Sequence, residues 1–293
     1  MKETGSATSV VIPACLIIDD PLLWPRYGCL DYERLLAEMR EHGFFTEIAF
    51  IPWNYRRSDP ATVRLFADNP DYFGMCVHGC NHTSREFGTT DYRRLSALSS
   101  IALHRMEAHK RLTGLPFDPV MVFPQGSFSP PAMRALKDHG YVAAFNSKLL
   151  TSDGVEPPPN EHAGPAALVY HGLPLFLRRC PRDRAGFLRD LISGRPLIIV
   201  EHHGAFRNGY RPLTEVVDWI NGLGNISWMS LSGIVRHYYG VSRPQAAWNN
   251  GEGEDSKEGK VALRRYASEF RDNYVEPNCF VRKLYEMARA VCR

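Results

Sequence analysis

Short apolar runs alternate with amphipathic helical patterns over about two hundred residues of the chain, which is the pattern of repeated strand–helix units. ACLIIDD is typical of a buried strand, and the helical pattern YERLLAEMREHGF follows it, with Leu35, Leu36 and Met39 on one face. Further apolar runs are TEIAFIPWN, FGMCVHG, PVMVFPQG, YVAAFNS and RPLIIVEHHG. This alternation predicts an α/β fold built on parallel strands.

Charge and cysteine usage exclude several classes of protein. The 293 residues carry a formal charge of +3 with scattered Lys and Arg, so we expect neither a nucleic acid nor an anionic membrane as partner. The first apolar run is interrupted by Pro13 and closed by two aspartates, unlike a signal peptide or a membrane-spanning helix. Seven dispersed cysteines do not resemble a disulfide framework. We therefore expect a cytoplasmic protein.

Polar or conformationally special residues follow four of the predicted strands at the point where each strand ends. In a closed arrangement of parallel strands all carboxyl ends lie at one rim, so residues distant in sequence meet in one pocket. A carboxylate at the end of a buried strand also requires a partner, because an unpaired buried charge is unfavourable. The residues concerned are Asp19 and Asp20, His78, Pro124 and Gln125, and His202 and His203.

His78 and His82 are four residues apart, directly after one of these strands. On a helix this spacing places both imidazoles on one face, close enough to bind the same metal ion. An anionic third ligand, Asp20 or Asp19, would complete a zinc-like catalytic site with open positions for water and substrate. The pattern predicts a divalent metal, zinc by preference.

Each of these features also has an ordinary structural explanation. A histidine pair alone is weak evidence in a chain with eleven histidines, and adjacent aspartates usually form a solvated turn or a helix cap. His202 and His203 could simply hydrogen-bond a neighbouring loop. Cys76 and Cys80 are expected to be bystanders, because an extended chain could not bring them and both histidines onto one ion. The joint placement at strand ends favours the site.

In their order along the chain, IIDD, the His-x-x-x-His element, FPQG and IIVEHH resemble the motifs of the polysaccharide deacetylase superfamily, the NodB-homology domains of carbohydrate esterase family 4. The resemblance covers about residues 11–205. It implies a distorted (β/α)7-type barrel and a divalent metal, commonly zinc. By match to the motifs, the metal ligands would be Asp20, His78 and His82; Asp19 would be the general base, and His202 or His203 the general acid.

Two positions depart from the family pattern. Family members usually have Ser or Thr after the first metal-binding histidine, whereas Gly79 stands here. The family also supplies an arginine before the proline of the third motif, and apolar residues occupy that place in this chain. Either Arg178 or Arg179 replaces that arginine beside Asp19, or Asp19 is less well oriented for catalysis.

The resemblance implies a metal-dependent hydrolase, an N-deacetylase acting on the C–N bond of an N-acetylated sugar or glycan precursor. Trp24 and Trp53 follow strand ends and could stack on a sugar. Pro124 and Gln125 begin a loop whose backbone N–H could bind the oxyanion. Two alternatives remain: a non-catalytic metal- or carbohydrate-binding protein, motivated by the missing arginine, and a non-haem iron oxygenase with two histidines and one carboxylate.

We expect two parts in the chain. Residues 1–244 would form the deacetylase-like barrel, and residues 245–293 would form a polar loop and a C-terminal helical extension. The apolar stripe of that extension most simply packs on the barrel, and a contact between copies in a homo-oligomer is the alternative.

Overall fold

The computed structural model describes residues 11–149, 151–152 and 164–240. The strands in these ranges are β1 Ile12–Asp19, β2 Arg26–Tyr27, β3 Leu30–Asp31, β4 Thr46–Phe50, β5 Phe73–His78, β6 Asp118–Val122, β7 Ala143–Asn146, β8 Leu168–Tyr170, β9 Leu173–Leu177, β10 Leu197–His202 and β11 Ile226–Trp228. The α-helices are α1 Tyr32–His42, α2 Pro60–Ala67, α3 Tyr92–Thr113, α4 Pro130–Asp138, α5 Arg184–Ile192, α6 Arg211–Asn221 and α7 Leu231–Tyr239.

Parallel strands form a ring in the described part of the chain. The neighbours run β10-β1-β4-β5-β6-β7-β9, and every pairing along this path is parallel. The path returns to β10 through Arg179: its N–H donates to Ile198 O at 2.8 Å, and its carbonyl accepts from Val200 N–H at 2.9 Å. Outside this ring, β8 pairs antiparallel with β9, and β11 pairs with the start of β1. The predicted distorted (β/α)7 fold is confirmed.

Two apolar clusters separate the inside of the ring from its outer layer. Along β1, Cys15 and Ile17 belong to the inner cluster, whereas Leu16 and Ile18 pack with the surrounding helices. Successive side chains of a strand point to opposite faces, so every second residue faces inward. The same alternation continues to the carboxyl ends of β1, β5 and β10, and it extends one residue past β9. It directs four polar side chains inward, one from each of these strand ends: Asp19, His78, His202 and Arg178.

The helices begin and end at residues that the sequence makes recognisable. The side chains of Asp31 and Asp59 accept the backbone N–H groups that open α1 and α2, and Pro60 occupies the first turn of α2. Asp91 and Ser129 cap α3 and α4 in the same way. These caps fix the residue at which each of the four helices begins.

Helix α7 closes the amino-terminal end of the ring, opposite the rim where the strands end. Its apolar side chains, among them Ile234, join the inner cluster. Two acids meet its first turn, the buried Glu47 and the half-buried Asp118: Glu47 Oε2 accepts Leu231 N–H at 3.3 Å, and Asp118 Oδ2 accepts Ser232 N–H at 2.6 Å. Burial raises the pKa of Glu47 well above its ordinary value, with a further contribution from the nearby Asp118.

Three further expectations concern membrane-spanning helices, the cysteines and the C-terminal region. No helix in the described ranges is long and apolar enough to cross a membrane. No disulfide joins the five cysteines within those ranges, which are Cys15, Cys29, Cys76, Cys80 and Cys180. The helical extension of residues 245–293 lies outside the described residues, so the division at residue 244 and the homo-oligomer stay predictions.

Candidate active site

Asp19 and Arg178 form a buried ion pair at the rim. Arg178 Nη1 donates to Asp19 Oδ1 at 2.6 Å, and the two side chains are only 4% and 2% exposed. Arg179 instead donates to both oxygens of Asp190, at 2.6 and 2.9 Å. Of the two arginines considered from the sequence, Arg178 therefore meets Asp19.

Next to this pair, Asp20 lies against two imidazoles. Its Oδ1 is 3.1 Å from His78 Nε2 and 3.0 Å from His82 Nε2. The rings of the two histidines are 4.8 Å apart between centroids. These three side chains form a group whose donor atoms all lie within 4.8 Å of one another. The structure thus brings together the three residues predicted as metal ligands.

The donor atoms fit a shared ion better than a set of mutual hydrogen bonds. Asp20 Oδ1 is buried and has no aligned hydrogen-bond partner, although both imidazole nitrogens are close enough for an ion pair. A buried carboxylate oxygen left in this state is unfavourable unless something else binds it. Two imidazoles and one carboxylate are a donor set that zinc takes in catalytic sites. The residues present therefore fit a divalent metal.

His78 is held in the orientation that such an ion requires. Its Nδ1 donates to the carbonyl of Val122 at 2.9 Å, which leaves Nε2 as the nitrogen facing Asp20. Burial lowers the pKa of His78, but the negative charges of Asp19 and Asp20 outweigh burial and raise it overall. Burial likewise opposes ionisation of Asp20, and its polar contacts with His78 and His82 reverse the effect, so its pKa is lowered below the ordinary range.

The premise that His78 and His82 share a helical face is wrong. His78 ends β5, and His82 lies in a loop with a left-handed φ of 60°. Gly79, with φ of 63°, turns the chain immediately after the strand and so brings the second imidazole back over the first. The two rings meet through a tight loop, which a spacing rule for helices does not describe.

His202 and His203 have different surroundings. His202 Nδ1 lies 3.8 Å from Asp19 Oδ2, and its side chain is 66% exposed. His203 packs edge-on against Tyr27, with ring centroids 4.8 Å apart. Burial lowers the pKa of His203. Of the two, His202 is the one in contact range of Asp19.

A cavity of about 520 Å³ opens over these residues. Of the residues predicted to meet substrate, Gln125 lines it, whereas Pro124, Trp24 and Trp53 are not among its lining residues. Trp24 is 47% exposed and donates its indole N–H to Arg57 O at 2.8 Å. The role of Pro124, Trp24 and Trp53 in substrate binding stays a prediction. The lining residues are Asp19, Asp20, His78, His82, Gln125, Gly126, Ser147, Lys148, Arg178, Cys180, Val200, Glu201 and His202.

Comparison with solved structures identifies the fold. A proposed polysaccharide deacetylase from Mycobacterium smegmatis superposes with a TM-score of 0.51 at 16% identity, covering 79% of this chain and 94% of that one. The chain shares the polysaccharide deacetylase fold. No protein-family model and no curated protein matches the sequence.

Two further solved structures are similar to this chain at lower scores. A family 4 carbohydrate esterase from Streptomyces lividans, solved in complex with acetate, has a TM-score of 0.47 at 11% identity, covering 75% of this chain and 92% of its own. The Xyl-CE4 domain of a xylanase from the hindgut metagenome of Trinervitermes trinervoides has a TM-score of 0.48 at 10% identity, covering 80% and 94%.

Within this deacetylase fold, sequence reasoning missed one residue beside the site and left another open. Arg178 follows from strand parity only once Phe176 is known to lie in the inner cluster, because the residue two positions later faces the same way. Glu86 was missed. Thr83-x-x-Glu86 has the spacing of a capping box, which predicts a carboxylate that returns to backbone N–H groups of its own turn.

Proposed function

We propose that this protein is a divergent member of the polysaccharide deacetylase superfamily and a metal-dependent hydrolase. Its substrate would be an N-acetylated sugar or a glycan precursor. One observation carries the proposal: the Asp20–His78–His82 cluster shares a cavity with the Asp19–Arg178 pair and with His202. Together these residues supply a metal site, a general base and a general acid.

Asp20, His78 and His82 would hold the ion, for which zinc is the preferred candidate. When bound, the metal would lower the pKa of a water molecule and polarise the acyl carbonyl. The remaining chemistry belongs to side chains of the protein.

Asp19 is the proposed general base. Its Oδ1 is occupied by Arg178 Nη1 at 2.6 Å, so the carboxylate is fixed in orientation. Its other oxygen, Oδ2, faces His202 and accepts the proton of the attacking water. Arg178 thereby orients the base and keeps its buried charge paired.

His202 is the proposed general acid. Its largely exposed ring reaches from the rim into the cavity and donates a proton to the departing nitrogen. The water oxygen forms a bond to the acyl carbon, the C–N bond breaks, and the products are a free amine and a carboxylate. For an N-acetyl substrate the carboxylate is acetate.

Substrate contacts are assigned by position at the rim. Gln125 and Gly126 line the cavity in the loop after Pro124, whose backbone N–H groups are the proposed donors to the oxyanion. Trp24 and Trp53 stay secondary candidates for stacking on a sugar.

The alternative of a non-catalytic metal- or carbohydrate-binding protein was motivated by the missing arginine. The Arg178–Asp19 pair favours the enzyme over this alternative, because an arginine does reach the proposed base, from the residue after β9. A non-haem iron oxygenase is disfavoured by the ring of parallel strands, since those enzymes usually use antiparallel scaffolds.

Acetate release from a panel of N-acetyl sugars tests the proposal. The zinc-loaded protein should release acetate, and Asp19→Asn should release it at least roughly 100-fold more slowly, because general-base catalysis contributes about that much. Asp218→Asn, which changes an exposed acid paired with His42, should behave as the parent does. Equal rates for the parent and Asp19→Asn would support the binding protein, and iron with dioxygen uptake would support the oxygenase.

A further inference from the structure

A buried carboxylate holds the loop that carries His82. Glu86 is 1% exposed, and its two oxygens accept the backbone N–H groups of four consecutive residues. Oε1 accepts from Cys80 at 2.5 Å and from His82 at 3.3 Å. Oε2 accepts from Asn81 at 3.1 Å and from Thr83 at 3.3 Å, and the Thr83 hydroxyl donates to it at 3.2 Å. The loop is thus wrapped around an anion supplied by its own chain.

Gly79 provides the space for this arrangement. A Cβ added to Gly79 would collide with Glu86 Oε1 and with Pro124 Cγ, so no larger residue fits unless both groups move. This is the position where the family pattern has Ser or Thr. The glycine and the carboxylate therefore act together: the missing side chain lets the anion reach the amides.

The pair acts on the conformation of His82. His82 has a left-handed φ of 60°, which is unfavourable for a residue other than glycine and persists only when its surroundings impose it. The bond from its own N–H to Glu86 Oε1 is one such restraint. In this conformation its Nε2 lies 3.0 Å from Asp20 Oδ1, inside the cluster of donor atoms.

We propose that Glu86, with Gly79, is a positioning residue that fixes His82 as a metal ligand and thereby sets the metal affinity of the site. The proposal rests on the metal site of the proposed function and goes beyond it, because it assigns the affinity to a residue that touches neither metal nor substrate. Without this restraint the loop samples other conformations, and affinity falls in proportion to the fraction that remains competent.

Zinc affinity of Glu86→Gln tests the proposal without using activity. The amide keeps the size of the side chain but replaces one acceptor oxygen with a donor, so part of the amide cluster loses its partner. Competition with a chromophoric chelator should show binding about 10- to 100-fold weaker than in the parent, the usual effect of losing a residue that orients a ligand. The visible spectrum of the Co²⁺-loaded variant should also change, because His82 is displaced.

Glu47→Gln is the matched control, because Glu47 is also a fully buried carboxylate that accepts a backbone N–H, but at the opposite end of the ring. Its zinc affinity and Co²⁺ spectrum should equal those of the parent. Loss of affinity in both variants would show a general effect of destabilising the fold and would overturn the proposal.

Gly79→Ala supplies an independent route should Glu86→Gln fail to fold. Gly43→Ala is its control, since Gly43 has φ of 65° and nothing within 4 Å of an added methyl group, so both variants carry the same backbone strain. Gly79→Ala should weaken zinc binding, and Gly43→Ala should leave it unchanged. A parent that binds no divalent metal overturns the proposed function and this inference together; a parent that binds zinc, with Glu86→Gln and Gly79→Ala unchanged, overturns this inference alone.

Discussion

Arg178 and Asp19 are 159 residues apart in the chain, yet Nη1 of the first and Oδ1 of the second are 2.6 Å apart at the rim of the ring. Both side chains are almost completely buried, so neither charge has water as an alternative partner. The proposed base is therefore oriented by the residue that directly follows β9. The next residue, Arg179, forms the seam of the ring, where the path of strands returns to β10.

Replacing Arg178 with Met should reduce both stability and activity. Removing one partner of a buried ion pair costs about 3–5 kcal/mol, and a misplaced base lowers kcat/KM by roughly 100-fold. Urea unfolding and steady-state kinetics measure the two effects. Arg179→Met breaks an equally close pair with Asp190 away from the cavity, so it should lose stability and keep kcat/KM. Equal activity losses in both variants would argue against a specific role for Arg178.

Removing either imidazole should abolish the metal site. We expect about one divalent ion per chain in the parent protein and almost none in His78→Ala or His82→Ala after dialysis, because two ligands cannot retain the ion that three hold. Elemental analysis gives the content and the identity of the metal. Cys76→Ala changes a neighbouring buried residue that points into the inner apolar cluster, and it should retain the metal. Retention by His78→Ala would contradict the assigned ligands.

The two adjacent histidines should respond differently to substitution. His202→Gln should lower kcat by about 100- to 10,000-fold with an unchanged zinc content, and His203→Gln should have a much smaller effect. Substrates with a leaving group that needs no protonation should recover most of the rate in His202→Gln. The reverse ranking of the two variants would assign the acid to His203.

Protein stability should fall in mild acid because of His109, a fully buried residue of α3. Burial lowers its pKa from 6.5 to about 4, so the folded state keeps it neutral where the unfolded state already binds a proton. Its contribution is complete above pH 6.5 and is lost as the pH falls towards 4, by about 2 kcal/mol at pH 5.

Urea unfolding at pH 7.5 and pH 5 measures this effect. His109→Gln should show a smaller loss of unfolding free energy between the two pH values, since the glutamine does not titrate. His104→Gln, at an exposed position of the same helix, should retain the loss of the parent. An identical pH dependence in all three proteins would exclude His109 as its source.

How far the sequence predicts the site depends on whether a residue is placed by strand parity or by a loop. Asp19 and His202 follow from the end of an apolar strand and the meeting of parallel strands at one rim. Arg178 follows from the same parity only after β9 is known to lie beside β10, and no local sequence pattern indicates that these two strands are neighbours. The pairing of strands is a long-range property, and the two arginines could not be distinguished before it was known.

The three residues of the metal cluster can be selected from the sequence, but the local reason for one of them is wrong. The spacing of His78 and His82 suggests a helix, whereas the chain reverses at Gly79 and places His82 in a left-handed conformation. That conformation depends on Glu86, whose contacts are to backbone amides. Amide contacts carry no side-chain signature other than the Thr-x-x-Glu spacing, which also occurs at ordinary helix starts.

The strand pairs of the barrel differ in how easily they separate, and the seam at Arg179 is a weakly bonded place. Between β1 and β10 the register extends from Ala14 to Asp19, whereas β9 reaches β10 through the backbone of Arg179. Amide hydrogen exchange should therefore be faster at Arg179 and Val200 than along β1, because fewer bonds must break there. Each such opening moves Arg178 away from Asp19, so the opening rate of this strand edge limits how long the proposed base keeps its orientation.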